Sequence, residues 1–440
     1  MSPTLSPTPS LHTDSRPHIV IVGGGFGGLY AAKTLGNQAV RVTLIDRRNF
    51  HLFQPLLYQI ATGSLSPGEI ASPLRSVLRG FNNITVRMDE VINIDPQSRT
   101  LTLRDEATPF SYDLLVLATG GTTTYFGHPE WAEHSYSLKT VEDALNIRRQ
   151  IFLNFEAAEK ETDPVQQQAL ITFAIVGGGP TGVELAGALA ELSHLILSPD
   201  FRQVNCREAK ILLVEMGPRI LSTYPESLSQ KATESLTRLG VSIHTQTAVT
   251  DIQPHSITLS CGETSEQIGC GTVLWAAGVQ ASKLGEILSQ ATGCALDRSG
   301  RVLVESNLSL PQHPDIFVLG DLSCYTHTPD GRPLPGVASV AIQQGEFLAK
   351  FILSQIKGTQ TPTFQYVDKG SLAVIGMKEA VADLHAFKLS GFLAWLIWAF
   401  VHVMNLVEFD NRLLVMFQWG WTLLTRRQGA RLITGPESLD

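Results

Sequence analysis

The clearest pattern along the chain is a short run of aliphatic and β-branched residues that ends in glycines and gives way to a helical, alanine-containing pattern, and it occurs twice. His18-Ile-Val-Ile-Val22 leads into Gly-Gly-Gly-Phe-Gly-Gly-Leu, which predicts strand, turn and helix. A second strand is predicted over Val40-Arg-Val-Thr-Leu-Ile-Asp46, closing on an acid 23 residues after Gly23. The arrangement returns 154 residues later as Ile171-Thr-Phe-Ala-Ile-Val-Gly-Gly-Gly-Pro-Thr-Gly-Val-Glu-Leu-Ala, followed by Lys210-Ile-Leu-Leu-Val-Glu215 and again an acid. Residues 190–209, between these two strands, are longer than such a connection needs. Each copy has a downstream echo, a buried strand ending in small residues: Leu114-Leu-Val-Leu-Ala118-Thr119-Gly120 and Val273-Leu-Trp-Ala-Ala277-Gly278. A further apolar strand, Asp315-Ile-Phe-Val-Leu-Gly-Asp321, follows the second copy.

Composition narrows the possibilities. The 440 residues are 43% hydrophobic and 17% charged, which describes a globular chain of two or three domains rather than a disordered or coiled-coil one. The net charge of −8 leaves no positive excess to neutralise phosphates, so no nucleic-acid partner is expected. Five cysteines without C-x-x-C or zinc-ligand spacing predict no metal site, and Cys261 and Cys270 are read as unpaired thiols. Residues 1–17, rich in Ser, Pro and Thr, are read as a disordered arm.

In each repeat the glycines have distinct tasks. Gly23 and Gly177 permit a tight turn, Gly25 and Gly179 let the backbone approach a pyrophosphate, and Gly28 and Gly182 let helix and strand pack closely. The phosphates would sit on a helix N-terminus, where free N–H groups and the helix dipole favour anions. Asp46 and Glu215 stand where each would accept hydrogen bonds from a ribose. Ala118, Thr119 and Gly120, with Ala277 and Gly278, are candidate backbone contacts to the two nucleotides. Two such sites in one polypeptide point to a tightly held flavin, FAD, and an exchanging nicotinamide, since hydride transfer needs both rings at one place. If the Asp315–Asp321 strand returns to the first sheet, Asp321 reaches the ribityl chain of the flavin and the second unit is an insertion in the first.

The order flavin unit, nicotinamide unit, flavin strand resembles the two-dinucleotide-binding flavoproteins that include the pyridine nucleotide:disulfide oxidoreductases. Members with disulfide chemistry carry C-x-x-x-x-C after the first ribose acid, and residues 47–70 here hold no cysteine. That excludes a disulfide reductase and argues against a sulfide:quinone oxidoreductase. Asn49-Phe-His-Leu-Phe-Gln-Pro-Leu-Leu-Tyr-Gln-Ile-Ala-Thr-Gly63, in the corresponding place, resembles type II NADH dehydrogenases, the NADH:quinone oxidoreductases, and the likeness covers residues 18 to about 427. The resemblance implies that Gln54, Pro55, Leu56 and Leu57 run along the isoalloxazine edge. It implies that Glu184 assists nicotinamide binding or proton handling. It also places Ala338-Ser-Val-Ala-Ile-Gln-Gln-Gly345 at the quinone end of the flavin, with Gln343 keeping the second glutamine of the family's Ala-Gln-x-Ala-x-Gln pattern and Ser339 replacing the first. A hydroxyl cannot span what an amide spans, so quinone placement is expected to differ. Tyr366-Val-Asp-Lys-Gly-Ser-Leu-Ala-Val-Ile-Gly376 resembles the family as well, and Lys388 is implied to line the quinone path.

The tail accounts for the slightly positive mean hydropathy of +0.08. Leu389–Leu406 is nearly all apolar, but its uninterrupted part, Gly391 to Val401, falls short of the roughly 20 residues a spanning helix needs. A second short apolar stretch, Leu413–Leu424, precedes Arg426, Arg427 and Arg431. Aromatic and aliphatic residues beside arginines predict helices lying in a membrane interface, contacting lipid, a second copy in a homodimer, or both. The expected architecture is therefore α/β: two Rossmann-like domains, the FAD domain over 18–145 and 296–382, the NAD(P)H domain inserted at 146–295, and amphipathic helices over 383–440. The expected activity is NADH to FAD to a membrane quinone without ion pumping, by a respiratory enzyme held peripherally on the cytoplasmic face of a membrane. Glu215 favours NADH, and Arg219, four residues on, leaves NADPH open. Two other functions remain compatible with the residues: reduction of a biosynthetic, demethylated naphthoquinone, for which Ser339 speaks, and a membrane-associated flavin redox sensor.

Overall fold

The computed structural model describes residues 15–435; most of the expected N-terminal arm lies outside them. The repeated strand pattern forms two parallel sheets in two compact units. In one unit, His18–Val22 pairs in parallel with Arg41–Asp46 on one side and Leu114–Leu117 on the other. Ile84–Met88 extends the sheet beyond Arg41–Asp46. His313–Val318 pairs in parallel with Leu114–Leu117, and Ser309–Leu310 adds an antiparallel edge. The late strand thus returns to the first sheet, and the chain between Gly121 and Ala281 is inserted elsewhere. His18 to Val22 are all buried, as continuous β-branched runs in two-sided sheets require.

This first unit comprises the described residues up to Asn49 with Leu78–Gly120 and Ser282–Tyr366. Its helices Phe26–Leu35 and Ala338–Lys357 touch backbone to backbone: a Cβ on Gly345 would fall 2.3 Å from the Gly27 carbonyl oxygen. The second helix therefore lies directly over the glycine turn of the first.

The second unit comprises Phe50–Val77, Gly121–Ala281 and the described residues from Val367 onward. Its sheet runs Tyr136–Ser137, Thr272–Trp275, Thr172–Val176, Lys210–Val214, Val241–His244, all parallel. The duplication extends past the motif. Each unit also carries a three-stranded antiparallel sheet, Val91–Asp95, Thr100–Leu103 and Phe110–Ser111 in the first and Ala248–Gln253, Ser256–Cys261 and Thr264–Gly269 in the second. The long connection over 190–209 holds a π-helical turn, Leu192–Leu197, and a short 3-10 turn, Cys206–Glu208.

Downstream, Ser371–Gly376, Glu379–Asp383 and Lys388–Gly391 form an antiparallel sheet. Helices Phe392–Asn405 and Phe409–Thr425 follow it. They bury Ala394, Trp398, Val403 and Val415 and leave Phe400, Phe417 and Leu424 exposed by 67%, 70% and 85%, an apolar outer face far larger than scattered surface residues provide. Among the described residues, no helix is long and apolar enough to cross a membrane.

Candidate functional site

In the first unit the turn after His18–Val22 can be closed only by glycine. Gly23 has φ +107°, and a Cβ on it would lie 2.4 Å from the Ala118 carbonyl oxygen. A Cβ on Gly28 would lie 1.8 Å from the Gly23 carbonyl oxygen. Gly25 caps the helix Phe26–Leu35 and has nothing within 4 Å of a built Cβ, so the helix N-terminus is open to an anion. Asp46 accepts from Gly24 N at 2.6 Å and from Arg48 N at 2.7 Å. Burial pushes its carboxyl up from the ordinary range, and those two N–H groups oppose the shift. Thr119 Oγ1 meets Ser282 Oγ at 2.5 Å, and Gly120, at φ +68°, accepts from Ser282 N. Asp321 lies in the short turn Gly320–Leu322 at the end of the returning strand, facing Gly336.

The second unit repeats this geometry. Gly177 has φ +111°, a Cβ on Gly182 would lie 1.8 Å from the Gly177 carbonyl oxygen, and Gly179 caps Pro180–Glu191 with nothing within 4 Å. Glu215 accepts from Gly178 N at 2.6 Å, the counterpart of Asp46 and Gly24, and from Gly217 N at 2.6 Å. Ala277 N would be 2.9 Å from a Cβ on Gly177, and Gly278, at φ +72°, backs onto Phe126 and Thr124. Both cradles fit a dinucleotide: a glycine-closed turn, an open helix N-terminus, and an acid anchored beside them. Arg219 is committed elsewhere. Its guanidinium donates to the carbonyl oxygens of Leu221, Ser222 and Tyr224 at 3.2, 2.7 and 2.8 Å.

Along its dinucleotide helix, the same unit holds a half-open cleft. One wall is Pro180–Glu191, which presents Glu184, Ala188 and Glu191; another is Val374–Met377; Tyr58, Gln59 and Ser64 form a third, and Trp395, Trp398 and Trp419 close it from the C-terminal helices. Glu184 is 9% exposed, its Oε1 accepts from Val374 N at 3.4 Å, and burial raises its carboxyl to about 8. It is therefore an uncharged carboxylic acid at neutral pH, able to donate a hydrogen bond or a proton. Gln59 donates to the Tyr58 hydroxyl at 2.8 Å and accepts from Trp419 Nε1 at 2.8 Å. Gln428 reaches back from the tail to donate to Ser64 Oγ at 2.8 Å.

The remaining expected residues are placed as follows. In the second unit, Leu56 and Leu57 are buried, whereas Gln54 is exposed and donates to the Lys139 carbonyl at 3.0 Å. Lys388 is exposed on Lys388–Gly391, in register with Asp383, and is not a wall residue of the cleft. In the first unit, Ser339 opens the helix Ala338–Lys357 and its hydroxyl lies 3.0 Å from that of Tyr366. A serine in place of a glutamine is thus extended by a phenol from a later segment. Gln343 lies on the same helix, and its neighbour Gln344, wholly buried, accepts from Gly320 N at 2.7 Å, tying the helix to the turn that carries Asp321. Sequence reasoning missed Tyr58, Gln59, Glu191 and the three tryptophans as wall residues. Glu191 alone had a signal, lying seven residues after Glu184 on one helix face.

Residues 17–345 match the pyridine nucleotide-disulphide oxidoreductase family model, and residues 369–428 match the NDH2 C-terminal domain. The chain is 39% identical to a type II NADH:quinone oxidoreductase of Mycobacterium tuberculosis, with 100% of this chain and 94% of that protein covered. It is 29% identical to the external NADH-ubiquinone oxidoreductase 2 of Saccharomyces cerevisiae mitochondria, over 92% and 80% of the two chains. In fold it resembles NDH2 from Plasmodium falciparum solved with NADH, at TM-score 0.86 and 20% identity over 96% and 100% of the chains. The sulfide:quinone oxidoreductase of Aquifex aeolicus follows at TM-score 0.72 and 18% identity, over 96% of each. With both dinucleotide cradles, the cysteine-free segment after Asp46 and the C-terminal helices accounted for, the chain belongs to the type II NADH:quinone oxidoreductases, within the pyridine nucleotide-disulphide oxidoreductases.

Proposed function

We propose that the protein is an FAD-dependent NADH:quinone oxidoreductase that works on a membrane quinone from the cytoplasmic face of a membrane. The observation that carries this is the duplicated cradle, in which Asp46 and Glu215 hold the same glycine N–H of their respective turns. FAD in the first cradle would supply a two-electron relay between a hydride donor and a quinone. Gly23, Gly25 and Gly28 would hold its pyrophosphate, and Asp46 would accept from its ribose. Gly177, Gly179 and Gly182 would do the same for the nicotinamide dinucleotide, with Glu215 on its ribose. Glu184, an acid kept protonated by burial, provides a proton to the quinone side of the reaction. Gln343 and Ser339 keep the quinone-end role that the resemblance gives them, with the Tyr366 hydroxyl joined to Ser339, and Lys388 is a candidate for the quinone's route rather than for the cleft. The exposed apolar face of the two C-terminal helices rests on lipid, and a second copy could share that face.

The decisive measurement is anaerobic. NADH should bleach the flavin spectrum of the detergent-purified protein, and ubiquinone, plastoquinone and naphthoquinone analogues added singly should restore it at different rates. Bleaching with no reoxidation by any quinone would sink the proposal and leave the redox-sensor alternative. A marked preference for a demethylated naphthoquinone would favour the biosynthetic role that Ser339 suggests.

NADH is favoured over NADPH. The Glu215 carboxylate repels a 2′-phosphate, and the nearby cation that could offset it, Arg219, is turned onto three carbonyls. Glu215→Gln should lower the NADH/NADPH ratio of kcat/KM by about tenfold, the effect of removing one charge–charge term of ~1.4 kcal/mol. An unchanged ratio would remove Glu215 from the ribose site.

A further inference from the structure

The cleft wall carries a second carboxylic acid besides Glu184, namely Glu191. Quinone reduction by NADH is NADH + H⁺ + quinone → NAD⁺ + quinol, so for each turnover one proton must reach a buried site from water. Glu191 shares a helix face with Glu184, two turns on and about 10.5 Å along the axis, too far for direct transfer. It is 9% exposed and accepts from Met377 N at 2.5 Å. The Tyr58 hydroxyl lies within electrostatic reach of both carboxyls, and burial holds it as the neutral phenol. On the far side, Glu379 stands close enough to act on Glu191 electrostatically and is itself at the surface, paired with Arg238 at 3.0 Å.

The cleft also holds polar groups that await a partner. Trp398, 1% exposed, has its Nε1–H unpartnered, and Gln428 Oε1 is likewise unpartnered, among the described residues. Both are wall residues. A buried donor and a buried acceptor left open in one cleft fit water or a ligand carrying a carbonyl or hydroxyl oxygen.

We propose that Glu191 is a proton-relay residue, taking a proton from water at the Glu379 surface and releasing one into the cleft toward Glu184 by way of the Tyr58 hydroxyl. This rests on the quinone-oxidoreductase reading. In each turnover the Glu191 O–H bond breaks as its proton moves inward, and the carboxylate regains a proton from bulk water, so no other reactant is needed. Burial raises the Glu191 carboxyl to about 7, the Met377 N–H opposes this and the Glu379 charge reinforces it. Such a group is half-protonated at neutral pH and can load and unload there. The charged or titratable groups around it are Glu379 and Arg238 at the surface, Tyr58 and Glu184 along the cleft, and His194 in the next turn, whose ring faces the carbonyls of Leu239 and Ala209.

The test separates the two half-reactions by anaerobic stopped flow. In Glu191→Gln, flavin reduction by NADH should stay within about twofold of wild type, while reoxidation by quinone slows about tenfold and loses its decline as pH rises through about 7. Glu191→Asp should restore part of the rate. Glu379→Gln removes a charge that raises the Glu191 carboxyl, so the wild-type decline should move to lower pH; a merely structural Glu191 would leave it in place. Independently of turnover, infrared titration should show a carboxylic-acid C=O band that disappears near pH 7 in wild type and is missing in Glu191→Gln. Wild-type rates and pH profile in Glu191→Gln, or an unmoved profile in Glu379→Gln, would overturn the relay alone. If no quinone reoxidises the wild-type protein, the functional proposal falls and the relay with it.

Discussion

Gly187→Ala is expected to disable the quinone half of the reaction while sparing the NADH half. A Cβ at this position would lie 1.6 Å from the Ile375 carbonyl oxygen and 2.7 Å from its carbon, with no flexible side chain to yield. Helix Pro180–Glu191 and strand Ser371–Gly376 would have to separate by one to two ångströms. Gly187 sits on the helix between Glu184 and Glu191, and those carboxyls accept from Val374 N and Met377 N on either side of Ile375. One methyl group therefore loosens both acids at once. Overpacking of this kind costs about 1–3 kcal/mol, or roughly 2–12 °C in melting temperature for units of this size. Quinone-dependent reoxidation should fall by about 10² or more, because misplacing a proton donor by an ångström has that effect. Gly177, Gly179 and Gly182 lie up-helix of the disturbance, so the Kd for NADH should stay within a few-fold. A variant that melts like wild type and reoxidises at the wild-type rate would show that the helix and strand can part without consequence.

That glycine also marks where sequence stops being informative. The two triplets were readable because a glycine-closed turn is local: Gly23 and Gly177 need positive φ, Gly28 and Gly182 need to meet a carbonyl five residues back, and both constraints fall within one short segment. Asp46 and Glu215 were placed for the same reason, as strand ends at a known distance, and each holds a glycine N–H of its turn. The returning strand His313–Val318 was foreseeable as a strand but took its place only through pairing with Leu114–Leu117, some 200 residues earlier. The cleft was not readable at all. Its walls come from Tyr58 and Gln59, from Glu184 to Glu191, from Val374 to Met377 and from Trp395 to Gln428, and no periodicity links segments so far apart. Trp398 lies in the apolar stretch expected in a membrane interface, yet it is among the most deeply buried side chains, stacked at 4.5 Å on His402 and packed against Trp419. An apolar stretch beside arginines identifies the helix, and only tertiary packing decides which face lines a cleft and which faces outward. The substitution at Ser339 likewise could be seen, but its completion by Tyr366 could not.

Glu184→Gln is expected to give the largest loss of activity and, at alkaline pH, a gain in stability. Burial holds the Glu184 carboxyl at about 8 against an ordinary 4.5, with the Val374 N–H opposing the shift only in part. An acid whose pKa is raised by folding binds more protons folded than unfolded. Its contribution to stability is therefore fully present below about pH 4.5 and is lost as pH rises through about 8. The amide does not titrate, so the variant keeps what the wild type loses across that window. The variant's advantage in melting temperature over wild type should grow from about pH 5 to about pH 8 and level off above it. Glu191 titrates in both proteins and cancels from the difference. The chemical effect has the opposite sign. An amide can accept from Val374 N and occupy the same volume, but it has no proton to give, so quinone-dependent reoxidation should fall by roughly 10²–10⁴ at pH 7, while NADH-driven bleaching continues. Wild-type reoxidation should itself weaken above pH 8 as Glu184 ionises, and the variant should show no such limb. If Glu184→Gln loses reoxidation but its melting temperature tracks wild type at every pH, the carboxylate is already charged in the folded protein. Its role would then be to orient a partner rather than to hold a proton.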